Sequence, residues 1–255
     1  MPFYSDLTIG NLEALGTLTA GAQLTVLGQN YQLECAPSST HSLQRLDTYE
    51  RFQVASGDVA AIDDATKERS ELYVRDGAAR AIAFDIAFWV SMALRIPSAS
   101  AFPSASATTW CIIGQIHSTA SPNIGDVLLS PAWAQDISGG VFTVQTRSFA
   151  GTPVTSNPPA ITRYTDAALP RDTWINLVYQ LTFDPSVGAM QIWRNGSSVF
   201  NSTIPMGYNQ PDAGYPKFGI YRSASTTTTT IEFANVEWGT TSLASRITTP
   251  LPNPY

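Results

Sequence analysis

The chain has 255 residues, of which 44% are hydrophobic and 13% are charged, and its formal net charge is −6 at pH 7. A chain of this length and apolar content can bury a full core, and all-β sandwiches of this size commonly form one domain. The negative charge and the lack of any basic run exclude a general affinity for nucleic acid, and no segment approaches the roughly 18 continuous apolar residues of a membrane span.

The composition favours strands and turns over helices. Thr, Ser, Gly and Pro are plentiful, while the helix formers Glu and Lys are scarce. We therefore predict an all-β fold with very little helix. Residues 1–48 are interpreted as an N-terminal lead-in that is packed on the main sheet or is part of it, and residues 49–255 as the main domain. For residues 1–30, an attachment or oligomerisation segment and a first strand pair both remain open.

Taken in chain order, the apolar and polar alternation predicts strands at 51–54, 81–96, 109–118, 140–147, 173–183, 189–193 and 231–238. Pro97 ends the second of these strands, and the last is expected to close the sheet. Prolines punctuate residues 119–173, which predicts long loops over one face of the sheet. A hairpin is predicted around residues 184–188, and Asn195-Gly196 predicts the next turn.

His117 is one of only two histidines and lies in Gln115-Ile116-His117, within a predicted strand. Because side chains alternate across a strand, Gln115 and His117 point to the same face. That face pairs an amide donor with the one side chain whose unperturbed pKa lies near neutrality. Taken alone, His117 would more often be a satisfied core histidine.

Two other strands repeat this polar face. Alternate positions of the first hold Arg69, Glu71 and Tyr73, and those of the second hold Tyr215, Lys217, Gly219 and Tyr221. The glycine is expected to leave room for a ligand to approach. Three such strands predict one concave site. A cross-strand ion-pair set on a solvated face, together with ordinary strand tyrosines, is the alternative.

An arginine, an amide, a histidine and a tyrosine together suit β-elimination of a uronic-acid polysaccharide. The hydrogen at C5 of a uronate becomes acidic enough only when the adjacent carboxylate is neutralised, a task for Arg69 and Gln115. His117 and Tyr221 are candidates for the base and the acid, in either order. Because the unperturbed pKa of tyrosine is about 10, Tyr221 would need a cationic neighbour to act as a base. The available cations are Arg69, Lys217 and Arg222.

The three motifs also resemble the signature strands of a known superfamily. Arg69-Ser70-Glu71-Leu72, Gln115-Ile116-His117 and the segment from Tyr215 to Tyr221, in that order, are similar to those of the jelly-roll polysaccharide lyases, which include alginate lyases, glucuronan lyases and type I heparin lyases. The resemblance implies a two-sheet β-jelly roll of the concanavalin A-like type with its substrate in a concave groove. It also implies catalytic residues and substrate contacts. By position, it assigns catalysis to His117, Tyr221, Arg69 and Gln115 and a substrate contact to Lys217. We expect further substrate contacts at Glu71, Tyr73, Tyr215 and Arg222.

The departures from the motifs bear on the substrate. Tyr73 stands where alginate lyases usually have a basic residue, and Pro216 stands where an aromatic residue is more frequent. Twelve arginines and two lysines are few for binding a heavily sulfated chain. A glucuronan-like polymer is therefore favoured over alginate. A non-catalytic carbohydrate-binding module is the main alternative, followed by a glycoside hydrolase, for which Glu71 lacks an evident second carboxylate.

Cofactors, redox state and location are less constrained. We expect no metal site and no cofactor, although a structural calcium ion is left open. The expected partner is an anionic polysaccharide, and neither nucleic acid nor a membrane is expected as a partner. Cys35 and Cys111 are too few for a zinc cluster, and one disulfide and two buried thiols fit equally. The N-terminus lacks the order of a signal peptide. An extracellular or secreted protein would then have lost a leader or would leave by another route, such as a phage particle.

Overall fold

The computed structural model describes residues 17–18, 20–26, 29–46, 48–75, 81–106, 108–119, 129–151 and 158–254. Within these ranges the strands are β1 (Thr17–Leu18), β2 (Gln23–Val26), β3 (Gln29–Cys35), β4 (Leu43–Leu46), β5 (Tyr49–Val54), β6 (Lys67–Val74), β7 (Ala87–Arg95), β8 (Cys111–His117), β9 (Trp133–Ser138), β10 (Val141–Thr146), β11 (Ser148–Phe149), β12 (Ile161–Asp166), β13 (Ile175–Thr182), β14 (Ala189–Arg194), β15 (Ser197–Thr203), β16 (Gly207–Tyr208), β17 (Tyr215–Ser223) and β18 (Thr229–Gly239). The helix α1 covers Ser245–Thr248, and no helix in the described ranges is long and apolar enough to cross a membrane. The predicted all-β class is confirmed.

In the described part of the chain, the strands form two eight-stranded antiparallel sheets. We call the sheet β12-β10-β9-β8-β17-β6-β3-β2 the groove sheet and the sheet β1-β4-β5-β18-β7-β13-β14-β15 the back sheet. The short strands β11 and β16 pair with each other in parallel. The predicted two-sheet sandwich is therefore confirmed, and β17 lies directly between β8 and β6 in the groove sheet.

The described part of the lead-in contributes strands to both sheets. β3 pairs with β6 in the groove sheet, and β4 pairs with β5 in the back sheet. Residues 1–16 lie outside the described residues, as do 120–128 and 152–157 of the predicted loop region.

The core lies between the two sheets and orients the groove sheet. Phe218 of β17 packs edge-on against Phe52 and Phe233 of the back sheet, with ring centroids 5.7 and 5.9 Å apart. All three side chains are almost completely buried, and each contributes about 1.5–3 kcal/mol of hydrophobic stabilisation. Because side chains alternate, anchoring Phe218 in the core turns its neighbours on β17 to the outer face.

Several predicted strands have different bounds or positions in the structure. The strand expected at 81–96 begins only at Ala87, because Asp85 adopts a left-handed φ of 59° that interrupts an extended chain. β9 was not predicted, since its buried Gln135 and Asp136 hide the apolar pattern. β18 pairs with β5 and β7 in the middle of the back sheet, so the expectation that it closes a sheet was wrong. The hairpin around 184–188 and the turn at Asn195-Gly196 are confirmed.

Gly219 is required by the packing of β17 against β6. Its φ is +130°, and a Cβ placed there would lie 2.8 Å from the Cα of Glu71 and would also collide with the carbonyl oxygen of Ser70. Both atoms belong to the neighbouring strand β6. This glycine therefore allows β17 and β6 to approach each other closely, and the gap for a sugar stays a prediction.

Cys35 and Cys111 are two buried free thiols. They lie on β3 and β8, which are separated in the groove sheet by β6 and β17. Three inter-strand spacings amount to about 14 Å, well beyond the roughly 7 Å between Cα atoms that a disulfide tolerates. Of the two alternatives, one disulfide and two buried thiols, the structure agrees with the buried thiols.

Candidate active site

A groove with a cavity volume of about 680 Å³ runs over the outer face of the groove sheet. Of the residues predicted for the site, Gln115, His117 and Tyr221 line it. Gln115 and His117 come from β8, and Tyr221 comes from the adjacent β17.

The register of three neighbouring strands brings the three sequence motifs together. β17 pairs with β8 on one side and with β6 on the other. Across these pairs Tyr215 faces His117, Lys217 faces both Gln115 and Tyr73, Gly219 faces Glu71, and Tyr221 faces Arg69. Residues that are far apart in the sequence therefore form one polar surface.

The hydrogen bond of His117 determines which of its nitrogens carries the proton. Nδ1 lies 2.9 Å from the carbonyl oxygen of Ser118. Since a carbonyl oxygen only accepts, Nδ1 carries the hydrogen and Nε2 of the neutral ring keeps its lone pair. Burial, together with the positive charge of Lys217, lowers the pKa of His117 to about 4. His117 is consequently neutral at physiological pH.

Tyr221 is held between a cation and an aromatic ring. The Cζ atom of Arg69 lies 3.8 Å from the centroid of the Tyr221 ring, and the ring of Trp110 lies 4.3 Å away. Burial raises the pKa of Tyr221, and this effect outweighs the lowering by the charge of Arg69. The phenol therefore keeps its proton at neutral pH and is a hydrogen donor.

A cluster of five ionisable side chains, which we call the buried ionic cluster, lies beside the groove. It comprises Glu34, Asp63, Arg69, Glu71 and Lys217. Lys217 Nζ lies 2.7 Å from Glu34 and 2.8 Å from Glu71. Although burial alone would raise the pKa of Glu34, the charges of Lys217 and Arg69 lower it. With all members ionised, two cations face three carboxylates.

The contacts of Arg69 differ from those predicted for it. Its Nε and Nη2 both donate to Asp63 at 2.9 Å, and its Nη1 donates to Glu34 and, at 3.4 Å, to Glu71. These bonds use four of the five guanidinium hydrogens, so a substrate carboxylate could form two parallel bonds to Arg69 only by displacing one of these three carboxylates. The arrangement corresponds to the ion-pair alternative left open by the sequence, except that the pairs are buried and not solvated.

Gln115 lies at the floor of the groove and is bound to the same cluster. Its Nε2 donates to Glu71, and its Oε1 is buried with no hydrogen-bond partner among the described residues. An amide nitrogen has two hydrogens, so one of them stays available after the bond to Glu71. Glu71 itself is 1% exposed and is enclosed by the cations, which leaves it little access to a substrate.

Two tyrosines continue the polar surface away from the groove. The ring of Tyr215 lies 5.4 Å from that of His117 and 6.3 Å from that of Tyr73. The Tyr73 hydroxyl donates to Gln32 at 2.8 Å. His117, Tyr215 and Tyr73 therefore form a row of rings across three adjacent strands.

Arg222 does not reach the groove, so its assignment as a substrate contact was wrong. It is completely buried and donates to Glu68 from Nε at 3.0 Å and from Nη2 at 2.7 Å. Since neighbouring residues of a strand face opposite ways, Arg222 points to the opposite side from Tyr221. Its ion pair with Glu68 is structural.

Many residues that line the groove were not among those predicted for the site. Seven of them belong to β9, to β10 and to the residue that follows it, and these include Asp136, Thr143, Gln145 and Arg147. The alternation from Val141 to Arg147 is a signal that would have identified the last three. Among the described residues, no group of three or more His, Cys, Asp or Glu is arranged to hold a metal ion.

Comparisons with known proteins agree with this architecture. The chain is similar to an endo-β-1,4-glucuronan lyase from the fungus Trichoderma reesei, with a TM-score of 0.63 and 13% identity over 94% of this chain and 95% of that one. It is also similar to the catalytic domain of a glycoside hydrolase family 131 protein from Coprinopsis cinerea, with a TM-score of 0.58 and 11% identity over 90% and 92%. A PL7 alginate lyase from Zobellia galactanivorans matches with a TM-score of 0.50 and 15% identity over 79% and 81%. These likenesses show the jelly-roll fold.

No curated protein matches the sequence of this chain. The family assignment comes instead from a family model described as polysaccharide lyase, which matches residues 16–237. That match begins just before β1, ends within β18, and includes all three motifs. The chain belongs to the polysaccharide lyase family.

Proposed function

We propose that the protein cleaves a uronic-acid polysaccharide by β-elimination, with His117 as the base and Tyr221 as the acid. The observation that supports this assignment is the pair of protonation states in one groove. The bond from Nδ1 of His117 to Ser118 leaves Nε2 ready to accept a proton, while burial keeps Tyr221 protonated. A base and an acid with these states can work at neutral pH without prior activation.

The proposed reaction moves one proton at each of the two residues. Nε2 of His117 takes the C5 proton of the uronate, and the electrons of that C–H bond form the C4=C5 double bond. The C4–O bond to the leaving sugar breaks, and its oxygen takes the proton of Tyr221. Exchange with solvent then returns His117 and Tyr221 to their starting states, so no water is consumed and the product carries an unsaturated uronate.

In this proposal Gln115 binds the substrate and Arg69 positions Tyr221. The second hydrogen of Gln115 Nε2 is the donor for the substrate carboxylate, because the first is used by Glu71. Arg69 acts by holding the Tyr221 ring and by compensating the carboxylates of the buried ionic cluster. Tyr73 and Tyr215 continue the polar surface beyond the groove, where a neighbouring sugar would rest, and Lys217 compensates Glu34 and Glu71.

A glucuronan-like polymer is the favoured substrate, and alginate is the second choice. The glucuronan lyase shares the fold over nearly the whole of both chains, which supports this order. Since such polymers are found outside cells, we expect the protein to act there. None of the comparisons supports a phage particle.

The fold likeness to a glycoside hydrolase family 131 protein keeps hydrolysis as the competing chemistry. Hydrolysis needs two carboxyl groups facing the scissile bond, one of them protonated. The groove carboxylate Asp136 accepts backbone hydrogens from Cys111 and Ser138, and Glu71 is bound by Lys217. Both are therefore held as structural acceptors, which favours the lyase.

The test is to incubate the protein with glucuronan, alginate and other polyuronates and to follow two signals. A lyase produces an unsaturated uronate that absorbs in the ultraviolet, together with new reducing ends. Reducing ends without this absorbance would establish a hydrolase. Retention of the polymer without any shortening would establish a carbohydrate-binding module and would overturn the proposal.

A further inference from the structure

Arg147 is a groove-lining cation that belongs to none of the sequence motifs. It directly follows β10 and is half-buried. Its backbone is held on both sides, because its N–H donates to Ala132 and its carbonyl oxygen accepts from Gly207, both at 2.9 Å. Its Nη1 donates to the carbonyl oxygen of Pro131 at 3.2 Å, which anchors the guanidinium at the groove wall.

The charge of Arg147 has no carboxylate partner among the described residues. In contrast, the described arginines that form ion pairs are Arg51, Arg69, Arg95, Arg194, Arg222 and Arg246. Burial lowers the pKa of Arg147, and the charges of Tyr208 and of the groove carboxylate Asp136, which raise it, do not offset this effect, as expected for a partly desolvated cation that forms no ion pair. A half-buried guanidinium in this state gains most from an incoming carboxylate, which its planar fork can bind with two hydrogen bonds.

The sheet geometry relates Arg147 to the proposed base. The backbone of Ala132 accepts from Arg147 and donates to Ile116, the neighbour of His117, so a continuous row of hydrogen bonds crosses β8, β9 and the end of β10. Two inter-strand spacings place the Arg147 backbone about 10 Å from that of His117. A polymer that lies across the strands at His117 therefore passes Arg147 at another of its sugars.

We propose that Arg147 binds the carboxylate of a uronate residue at some distance from the cleaved bond, and so forms a subsite for an acidic polymer. This inference rests on the proposed function and extends it. It also explains how a protein with a net charge of −6 holds a polyanion: the cations of the buried ionic cluster are already compensated, whereas Arg147 is not.

The test compares the wild-type protein with Arg147→Gln and with the control Arg163→Gln. Arg163 is also half-buried and without an ion pair among the described residues, but its Nε donates at 2.8 Å to Thr146, which is fully buried on the core side. KM and kcat are measured on the polyuronate that the wild type cleaves best. Kd is measured by calorimetry for that polymer and for its carboxyl-reduced, neutral form.

We expect Arg147→Gln to raise KM and Kd for the polyuronate about tenfold or more, the usual size of a lost charged hydrogen bond, with kcat changed by less than about threefold. The Kd for the carboxyl-reduced polymer and all constants of Arg163→Gln should stay at wild-type values. If Arg147→Gln unfolds, as judged by circular dichroism, Arg147→Lys serves instead. The lysine keeps the positive charge but cannot form two parallel hydrogen bonds to a carboxylate, so this variant should give a smaller increase in KM.

The outcomes separate this inference from the proposed function. A cleaving wild type with unchanged KM and Kd in the variants overturns the subsite alone, as does an equal loss of affinity for the neutral polymer. A wild type that binds the polyuronate through Arg147 without cleaving it supports the subsite and overturns the lyase. A wild type that neither binds nor cleaves any polyuronate overturns both.

Discussion

His117 and Tyr221 owe their proposed chemistry to their immediate neighbours. A single carbonyl oxygen, that of Ser118, selects the tautomer of His117, and burial moves the pKa of the imidazole down and that of the Tyr221 phenol up. Two groups whose pKa values are moved in opposite directions in one groove are the usual sign of an acid and base pair.

Replacing His117 by Ala should reduce kcat at least about 100-fold, because a positioned general base contributes that much or more. The other histidine, His41, provides a matched control, since its Nε2 lies within hydrogen-bond distance of Asp58 Oδ2, at 2.8 Å, and it does not line the groove. His41→Ala should keep wild-type turnover. Near-normal turnover of a folded His117→Ala protein would exclude His117 as the base.

The pH profile of kcat/KM should reveal the lowered pKa of His117. A base must be unprotonated, so the acid limb of the profile should lie near pH 4 and not near the ordinary histidine value of about 6.5. The unfolded state takes up this proton first, so stability should fall as the pH drops from about 6.5 towards 4. An acid limb at or above pH 6 would contradict the assignment.

Tyr221→Phe removes one oxygen and little volume. If Tyr221 protonates the leaving oxygen, kcat should fall about 100-fold or more while KM changes little, because the ring still packs against Trp110 and Arg69. Steady-state kinetics on the identified polymer give both constants. A retained kcat with an increased KM would make Tyr221 a stacking residue only.

At the scale of elements, the pairing of β17 with β6 and β8 brings the site residues together and also buries several charged side chains. Lys217 of β17 is 4% exposed and contacts Glu34 of β3 and Glu71 of β6, so one ammonium links three strands. A buried charge whose partner is removed is far more costly than an exposed one.

Lys217→Met should therefore lower the free energy of unfolding by about 3–5 kcal/mol, because it leaves two buried carboxylates with Arg69 as their remaining cation. The other lysine of the chain is the control: Lys67 pairs with the exposed Asp64, and Lys67→Met should cost less than about 1 kcal/mol. Urea denaturation of both variants measures the difference. Equal stabilities would show that the buried ionic cluster does not stabilise the fold.

The period-2 pattern was sufficient to predict the strands that bear the three motifs, and the motifs indicated the fold and the family. It did not predict the contacts of Arg69, because Asp63 and Glu34 come from a turn and from β3, outside every motif. The packing reason for Gly219 could not be predicted either, since its φ and its contacts depend on the backbone of β6. Arg147 ends the strand predicted at 140–147 and shares a face with Thr143 and Gln145, but no motif marks that face as part of the site. Long-range pairing therefore set the limit of the sequence interpretation.

At the scale of the whole molecule, one continuous core joins both sheets and encloses the two thiols. Cys35 and Cys111 belong to this core, and burial raises the pKa of both. A thiol with a raised pKa and no access to solvent is unreactive, so its exposure reports on the opening of the sandwich.

A thiol reagent should consequently find no fast-reacting group in the native protein and two after complete denaturation. The rate of the slow native reaction should rise with urea in parallel with unfolding followed by circular dichroism. The electrophoretic mobility should be the same with and without reductant, because no disulfide is present. A rapid reaction of one thiol in the absence of denaturant would indicate local opening near β3 or β8.

The distribution of lysine has a practical consequence for handling the protein. Of the chain's two ε-amines, that of Lys217 is sealed inside the fold, and that of Lys67 lies at the rim of the groove. Amine-directed coupling to a resin or a dye through a lysine would therefore attach at the mouth of the groove. The position of Lys67 at the groove also makes it a footprinting probe, since a bound polymer would shield its amine from acylation. For immobilisation that leaves the groove open, carboxylates far from it are the better anchors.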